Sequence, residues 1–279
     1  MKKNIATCLL VIGFVQFSMA QNYDIMTYNI RYDNTHDGEN KWEKRKEYLC
    51  EQISYYNPDV FGIQEGLYSQ VTYLESYFGD YKYVGVGRDD AKTKGEYSAI
   101  FYNATILEVV ESETFWLSKT PAKISVGWDA SMERICTYAL LKDKKTGAEF
   151  YVFNTHFDHI GDKARIKSAK LIAEKIERIN KAQVPFFIMG DFNLLPESKP
   201  IQYLSNLFND AKFTSIQKPF GPEGTFNGFH FEKPVKDRID YIFTSKGNVR
   251  VCKYAVISDS KECKYPSDHL PVMIQVCLY

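Results

Sequence analysis

The chain has 279 residues, 44% hydrophobic and 15% aromatic, which is ample for a buried core. Its 35 basic residues are matched by 35 acidic ones, so it lacks the excess of Lys and Arg with which a sequence-tolerant nuclease grips a phosphate backbone. Six cysteines, one of them near the start, exclude a disulfide scaffold, and none has the spacing of a zinc site.

Lys2-Lys3, an apolar run from Ile5 to Phe17 and the small-residue ending Ser18-Met19-Ala20 form the pattern of a secretory signal peptide, with cleavage expected before Gln21. The run is shorter than the roughly 20 apolar residues of a membrane span, and no second candidate follows. Cys8 has no small-residue lipobox before it. The expectation is therefore an exported protein, periplasmic or extracellular, with 21–279 as a single domain. Removing Lys2 and Lys3 leaves 33 basic against 35 acidic residues, a net charge near −2. Without Cys8 five cysteines remain, an odd number. Cys50 and Cys136 sit in apolar contexts that suit a buried thiol. Whether Cys252 and Cys263 pair is left open by the sequence.

Polar clusters then recur at the ends of apolar runs. Thr27-Tyr28-Asn29 follows Tyr23 to Met26. Trp42 to Tyr56 reads as a helix with Leu49, Ile53 and Tyr56 inward, stopped by Asn57-Pro58. Gln64-Glu65 closes the apolar stretch from Asp59 to Ile63. Short strands are expected over Tyr81 to Val86, Ser98 to Tyr102, Ile106 to Val110 and Arg134 to Leu141. Lys142 to Lys145 with Thr146-Gly147 reads as a solvated hairpin turn. Phe150 to Phe153 is an apolar strand that turns polar, with Asn154, His156 and Asp158 spaced by two and hence on one face.

Lys163 to Lys181 is the clearest helix, with Ile166, Ala169, Ile172, Ala173, Ile176 and Ile179 in one stripe. Arg165 in its first turn reads equally as a phosphate contact or as a surface arginine. Val184 to Met189 reads as a buried strand ending in Gly190-Asp191-Phe192-Asn193. Alternation sends Asp191 and Asn193 to one side and Phe192 to the other. Asp240 lies inside the apolar strand Arg238 to Phe243, where a lone charge is costly, so it needs a partner, and a histidine is the natural one. Val249 to Ile257 is a further strand. Ser267-Asp268-His269 comes near the end of the chain.

These polar segments, in this order from Tyr28-Asn29 to Ser267-Asp268-His269, make the chain similar to the endonuclease/exonuclease/phosphatase family. That family includes DNase I-like nucleases, sphingomyelinases, inositol polyphosphate phosphatases and deadenylase-like enzymes. Periodicity alone gives α/β with large sheets; the resemblance implies a four-layer sandwich, two packed mixed sheets flanked by helices. It also implies a divalent ion, magnesium or manganese in its place, on Glu65 and Asn29, with Asp268 a second ligand or an acceptor from metal-bound water. Asp191 is the candidate to orient and deprotonate the attacking water, and Asn193 to fix that water or the phosphate. His269 should face the phosphate, paired with Asp240. His156 matches a group that binds phosphate or protonates the leaving oxygen, with Asn154 supporting it. Asp158 belongs to part of the family only. Tyr97 reads equally as a phosphate contact and as a core tyrosine. Aromatic loops around Trp128 and Phe226 to Phe231 are candidates to line the substrate pocket.

Other chemistries lack their signatures. There is no Gly-x-Ser-x-Gly elbow, His-Glu-x-x-His, Walker loop or dinucleotide fingerprint, and the segments of a dinuclear metallophosphatase are missing. The expected function is a metal-dependent phosphoesterase for a compact phosphodiester or phosphomonoester, from a small molecule or a lipid, acting as a monomer. A nuclease is the alternative within the same chemistry, and a non-catalytic phosphate-binding module the alternative outside it.

Overall fold

A computed structural model describes residues 21–279; the expected signal peptide at 1–20, with Cys8, lies outside the described residues. In chain order the first half holds β1 (Gln21–Asn29), α1 (Trp42–Tyr56), β2 (Val60–Gln64), α2 (Tyr68–Tyr77), β3 (Tyr81–Val84), β4 (Ile100–Asn103), β5 (Leu107–Trp116) and β6 (Ile135–Asp143). The second half holds β7 (Glu149–His156), α3 (Asp162–Ile179), β8 (Phe186–Asp191), α4 (Lys199–Leu207), β9 (Asn209–Asp210), α5 (Ala211–Thr214), β10 (Asp240–Thr244), β11 (Val249–Val256) and β12 (Val272–Leu278). No helix among the described residues is long and apolar enough to cross a membrane.

The strands form two six-stranded mixed sheets, ordered β11-β12-β1-β2-β4-β3 and β5-β6-β7-β8-β10-β9. Their inner faces meet in one core, where Ile25, Val60, Ile100 and Val272 oppose Ala139, Val152, Phe187 and Ile242. Outside the first sheet, Leu49, Ile53, Val71 and Leu74 of α1 and α2 cover Met26, Phe61, Ile63 and Phe101. Outside the second, Ala169, Ile172 and Ile176 of α3 with Ile201 and Leu204 of α4 cover Phe153, Ile188, Tyr241 and Phe243. The result is the expected four-layer α/β sandwich. The sheets approach closely at Gly62, where an added Cβ would lie 2.5 Å from Met189 and 2.7 Å from Asn154.

Topology sets the position of the polar clusters. β1 and β2 are parallel, as are β7 and β8, so each pair needs a crossover, supplied by α1 and α3. Their C-terminal ends therefore share one edge of the sandwich. β10 and β12 run antiparallel to β8 and β1, which brings their N-terminal ends to that same edge. The register places Asp240 opposite Asp191, and Asp191 beside His156.

Three differences from the sequence reading have physical causes. β5 runs on to Trp116, well past Val110, because Glu111 and Glu113 face solvent on a strand and accept hydrogen bonds from the hydroxyls of Tyr151 and Tyr138. The polar, tyrosine-rich α2 gave no clear helical stripe in the sequence. Cys252 lies against Cys277 rather than Cys263, while Cys50 and Cys136 are buried as expected.

Candidate active site

Asn29 ends β1 and its side-chain amide nitrogen donates to Glu65 and to Asp191, at 3.0 Å each. Its Oδ1 accepts from the backbone of Arg31. Glu65, just past β2, also accepts from the N–H of Tyr32. Asp191 ends β8 fully buried, and its Oδ1 accepts from the backbone of Asn193 at 2.8 Å. The Asn193 amide nitrogen donates to the Phe157 carbonyl and sits 3.0 Å from His156 Nε2. His269 Nδ1 lies 2.9 Å from Asp240 Oδ2, and its Nε2 lies 3.7 Å from Asp191 Oδ2. Six segments far apart in sequence thus meet at one point.

The backbone there is held in costly conformations. Arg31, Glu65 and Asn193 all have positive φ, at 55°, 65° and 51°. Such residues cost on the order of 1–3 kcal/mol each and cluster at functional sites. Gly190, at φ 145°, passes so near Thr155 that an added Cβ would sit 1.9 Å from its carbonyl oxygen. Only glycine fits there, directly before Asp191.

Electrostatics divide the titratable groups by role. Burial pushes Asp191 up to about 7, the neighbouring Asp240 carboxylate adds to this, and His269 opposes it. For His269, burial disfavours the charged ring, yet Asp240 and Asp191 outweigh burial and hold the imidazolium well above the ordinary histidine range. His156 goes the other way: burial, then Arg134 and Arg88, keep it neutral. Burial also raises Asp268, against the pull of His269.

Ligand atoms of Glu65, His156 and Asp191 all lie within 4.8 Å of one another, as do those of Asp191, Asp240 and His269. Carboxylates so placed repel, and Asp240 Oδ1 is buried without a hydrogen-bond partner. A hard divalent cation at the Glu65–Asp191 side suits this donor set. Asp268 stands at the edge of the cluster, 3.8 Å from Arg31 Nε.

The other four sequence candidates have different surroundings. Asn154 is sealed between the sheets: it accepts from Gln64 and donates to the carbonyls of Ile63 and Ala99. It braces the layer beneath His156 and does not reach a substrate. Asp158 is 1% exposed and accepts from Ser131, Arg134, Ile160 and Gly161. Those donors, set against burial, hold it well below the usual carboxylate range, and it fixes a loop instead of facing the cleft. Arg165 spends its guanidinium on the carbonyls of His159, Ile160 and Asn193 and on Asp162, tying α3 to the Asn193 turn. The Tyr97 hydroxyl is spent on Lys92 O, to which it donates at 2.7 Å.

Several contributors went unread in the sequence. Arg31 stands near Glu65, Asp268 and Asp37. Buried Arg45 donates to the carbonyls of Asn40, Ile30, Arg31 and Pro266, clamping the loops after β1 and before β12. Arg88 makes a two-pronged pair with Glu96, whose Oε2 is 3.8 Å from His156. Arg45 sits between lysines in a polar run, and no local pattern marks it as buried. Phe226, 40% exposed, sets its ring edge-on to His269 at 5.1 Å, consistent with an aromatic wall beside the site.

Comparison with known proteins accords with this geometry. Residues 26–269 match the sequence model of the Endonuclease/Exonuclease/phosphatase family. A Bacteroides thetaiotaomicron protein of that family superposes with a TM-score of 0.90 at 36% identity, covering 94% of this chain and 99% of its own. A mannosyl-6-phosphatase from the same species gives a TM-score of 0.87 at 37% identity, over 91% of this chain and 99% of its own. Among curated sequences, a CCR4-Not complex 3'-5'-exoribonuclease subunit Ccr4 from Mycosarcoma maydis is 21% identical over 91% of this chain and 50% of its own. The chain spans about half the length of the curated relatives it matches.

Proposed function

The chain belongs to the endonuclease/exonuclease/phosphatase family, and from that premise we propose that it is a divalent-metal-dependent phosphoesterase acting on a compact phosphomonoester, a sugar phosphate foremost. The observation that carries this is the meeting of a buried carboxylate, Asp191, with a charged histidine, His269, 3.7 Å away and backed by Asp240. The choice of a sugar phosphate is supported by the likeness to the mannosyl-6-phosphatase over almost the whole of both chains. The near-neutral charge favours a small substrate over a long nucleic acid.

Each side chain has a distinct task in this reading. Asp191 accepts the proton of the attacking water, with Asn193 and Asn29 fixing the carboxylate. His269 presents Nε2–H to a non-bridging phosphate oxygen, and Asp240 holds its other nitrogen. His156, kept neutral with Nε2 against the Asn193 amide, orients that amide and is poorly suited to give a proton to the leaving oxygen. Glu65, with Asn29 and Asp268 nearby, would hold a magnesium ion, which supplies charge neutralisation at the phosphate. Phe226 offers an aromatic face to the group that leaves. We further propose, from the pattern of residues 2–20, that the protein is exported to the periplasm or the outside of the cell.

A substrate panel tests this. Hexose 6-phosphates, inositol phosphates, a lipid phosphodiester and plasmid DNA are compared by kcat/KM. The reading requires the phosphomonoesters to lead; preferential cleavage of plasmid DNA makes the protein a nuclease, and inactivity on all substrates with retained phosphate binding makes it a binding module.

A further inference from the structure

The outer strand of the first sheet carries an irregularity with a chemical consequence. β11 and β12 pair as Arg250 with Cys277 and Val251 with Val276; the register then slips, and Lys253 meets Gln275. Cys252 is the extra residue of this β-bulge, a feature that re-aims a side chain. Its sulfur lies 3.2 Å from that of Cys277, and both residues are only partly buried. Cys277 is held in place by a contact of 2.8 Å from its sulfur to Asn22 Oδ1 on the other neighbouring strand. The remaining described cysteines have no such companion. Cys50 and Cys136 are buried in different clusters, and Cys263 is exposed.

We propose that Cys252 and Cys277 form a cross-strand disulfide. The oxidant is a small disulfide of the glutathione class. One thiolate attacks it, forming a mixed disulfide and releasing one reduced thiol; the second cysteine then attacks the protein sulfur and expels the other. One S–S bond forms in the protein, two S–H bonds are lost, and the oxidant takes up two electrons and two protons.

The location gives the bond a purpose. β11 ends its sheet, flanked by the segment whose Ile216, Gln217 and Phe220 donate to the carbonyls of Val251, Cys252 and Tyr254. A bond there staples β11 to β12. It also closes a loop that contains Ser267, Asp268 and His269, so it restrains, in the unfolded chain, the stretch that brings two site residues home. The sulfurs themselves are remote from the chemistry, since Cys277 lies on the order of 17 Å along β12 from its start at Val272.

The test is oxidation of the folded, reduced protein with oxidised glutathione, followed by alkylation in denaturant and peptide mapping. The expected result is loss of two thiols, one linked peptide pair joining Cys252 to Cys277, and Cys50, Cys136 and Cys263 still alkylated. The melting temperature should rise on oxidation and fall back with dithiothreitol. Cys252→Ser and Cys277→Ser should each abolish that shift while leaving turnover of folded enzyme unchanged. Full alkylation of both thiols after oxidation, a stable glutathione adduct, or a link to Cys263 would overturn the proposal. Because mapping of the wild-type protein reads the bond directly, its outcome is independent of the phosphoesterase reading.

Discussion

Asp191 and His269 are two neighbouring buried groups pushed in ways that suit opposite tasks. Asp191 must be ionised to take a proton, and its affinity for one is raised to about 7 by burial and Asp240. Activity should therefore rise with pH as Asp191 gives up its proton, and Asp191→Asn should remove both that limb and roughly 10²–10⁴-fold of kcat without loss of folding. A variant with near-normal kcat would remove Asp191 from the mechanism. His269→Ala should cost a similar factor, read in kcat more than in KM if the imidazolium acts on developing charge. At this scale the sequence was informative where a polar residue interrupted an apolar strand. Asp240 declared its need for a partner, and the structure supplies His269 at 2.9 Å. It was uninformative where a residue's partner came from a distant loop. Asp158 has the spacing of a site residue, yet its oxygens are consumed by Ser131, Arg134 and the α3 entry, which no local pattern reveals.

At the scale of elements, the site depends on braces that never touch a substrate. Asp158→Ala would leave Arg134, 4% exposed, without its carboxylate, and breaking a buried pair in this way costs about 3–5 kcal/mol. The expected readout is a lowered denaturation midpoint, with KM changed little in the protein that remains folded; a weakened KM at unchanged stability would return Asp158 to substrate binding. The β1–β2 pair offers a test of pH. Asp59 accepts from the backbone N–H of Asp24, and burial raises it to about 6. A carboxyl raised on folding stabilises the fold below its unfolded value near 3.8 and loses that contribution as pH rises through about 6. Asp59→Asn should thus raise the melting temperature at pH 7–8, by about 2–4 °C for each kcal/mol recovered, with the gain vanishing near pH 4. An equal gain at both pH values would contradict the linkage. Helices α1 and α3 were legible because their apolar stripes are regular. The end of β5 was not, because its outward glutamates look like a loop until Tyr138 and Tyr151 are seen across the sheet.

For the whole molecule, the parallel pairs β1–β2 and β7–β8 and the antiparallel returns β10 and β12 deliver every functional cluster to one edge of the sandwich. The four-layer order came from the resemblance carried by short motifs, since periodicity cannot say which sheet a strand joins. The arginines that clamp the edge, Arg31, Arg45 and Arg134, became visible only once the layers were assembled. The central claim is that this edge hydrolyses a phosphoester with a divalent ion held at Glu65. The most direct measurement is phosphate release from a hexose 6-phosphate by chelator-treated protein as magnesium is titrated back, in wild type and in Glu65→Gln. The account predicts no turnover without the ion, recovery on titration, and a midpoint at higher magnesium in the variant; turnover that persists after chelation, or the same midpoint in both proteins, would contradict it.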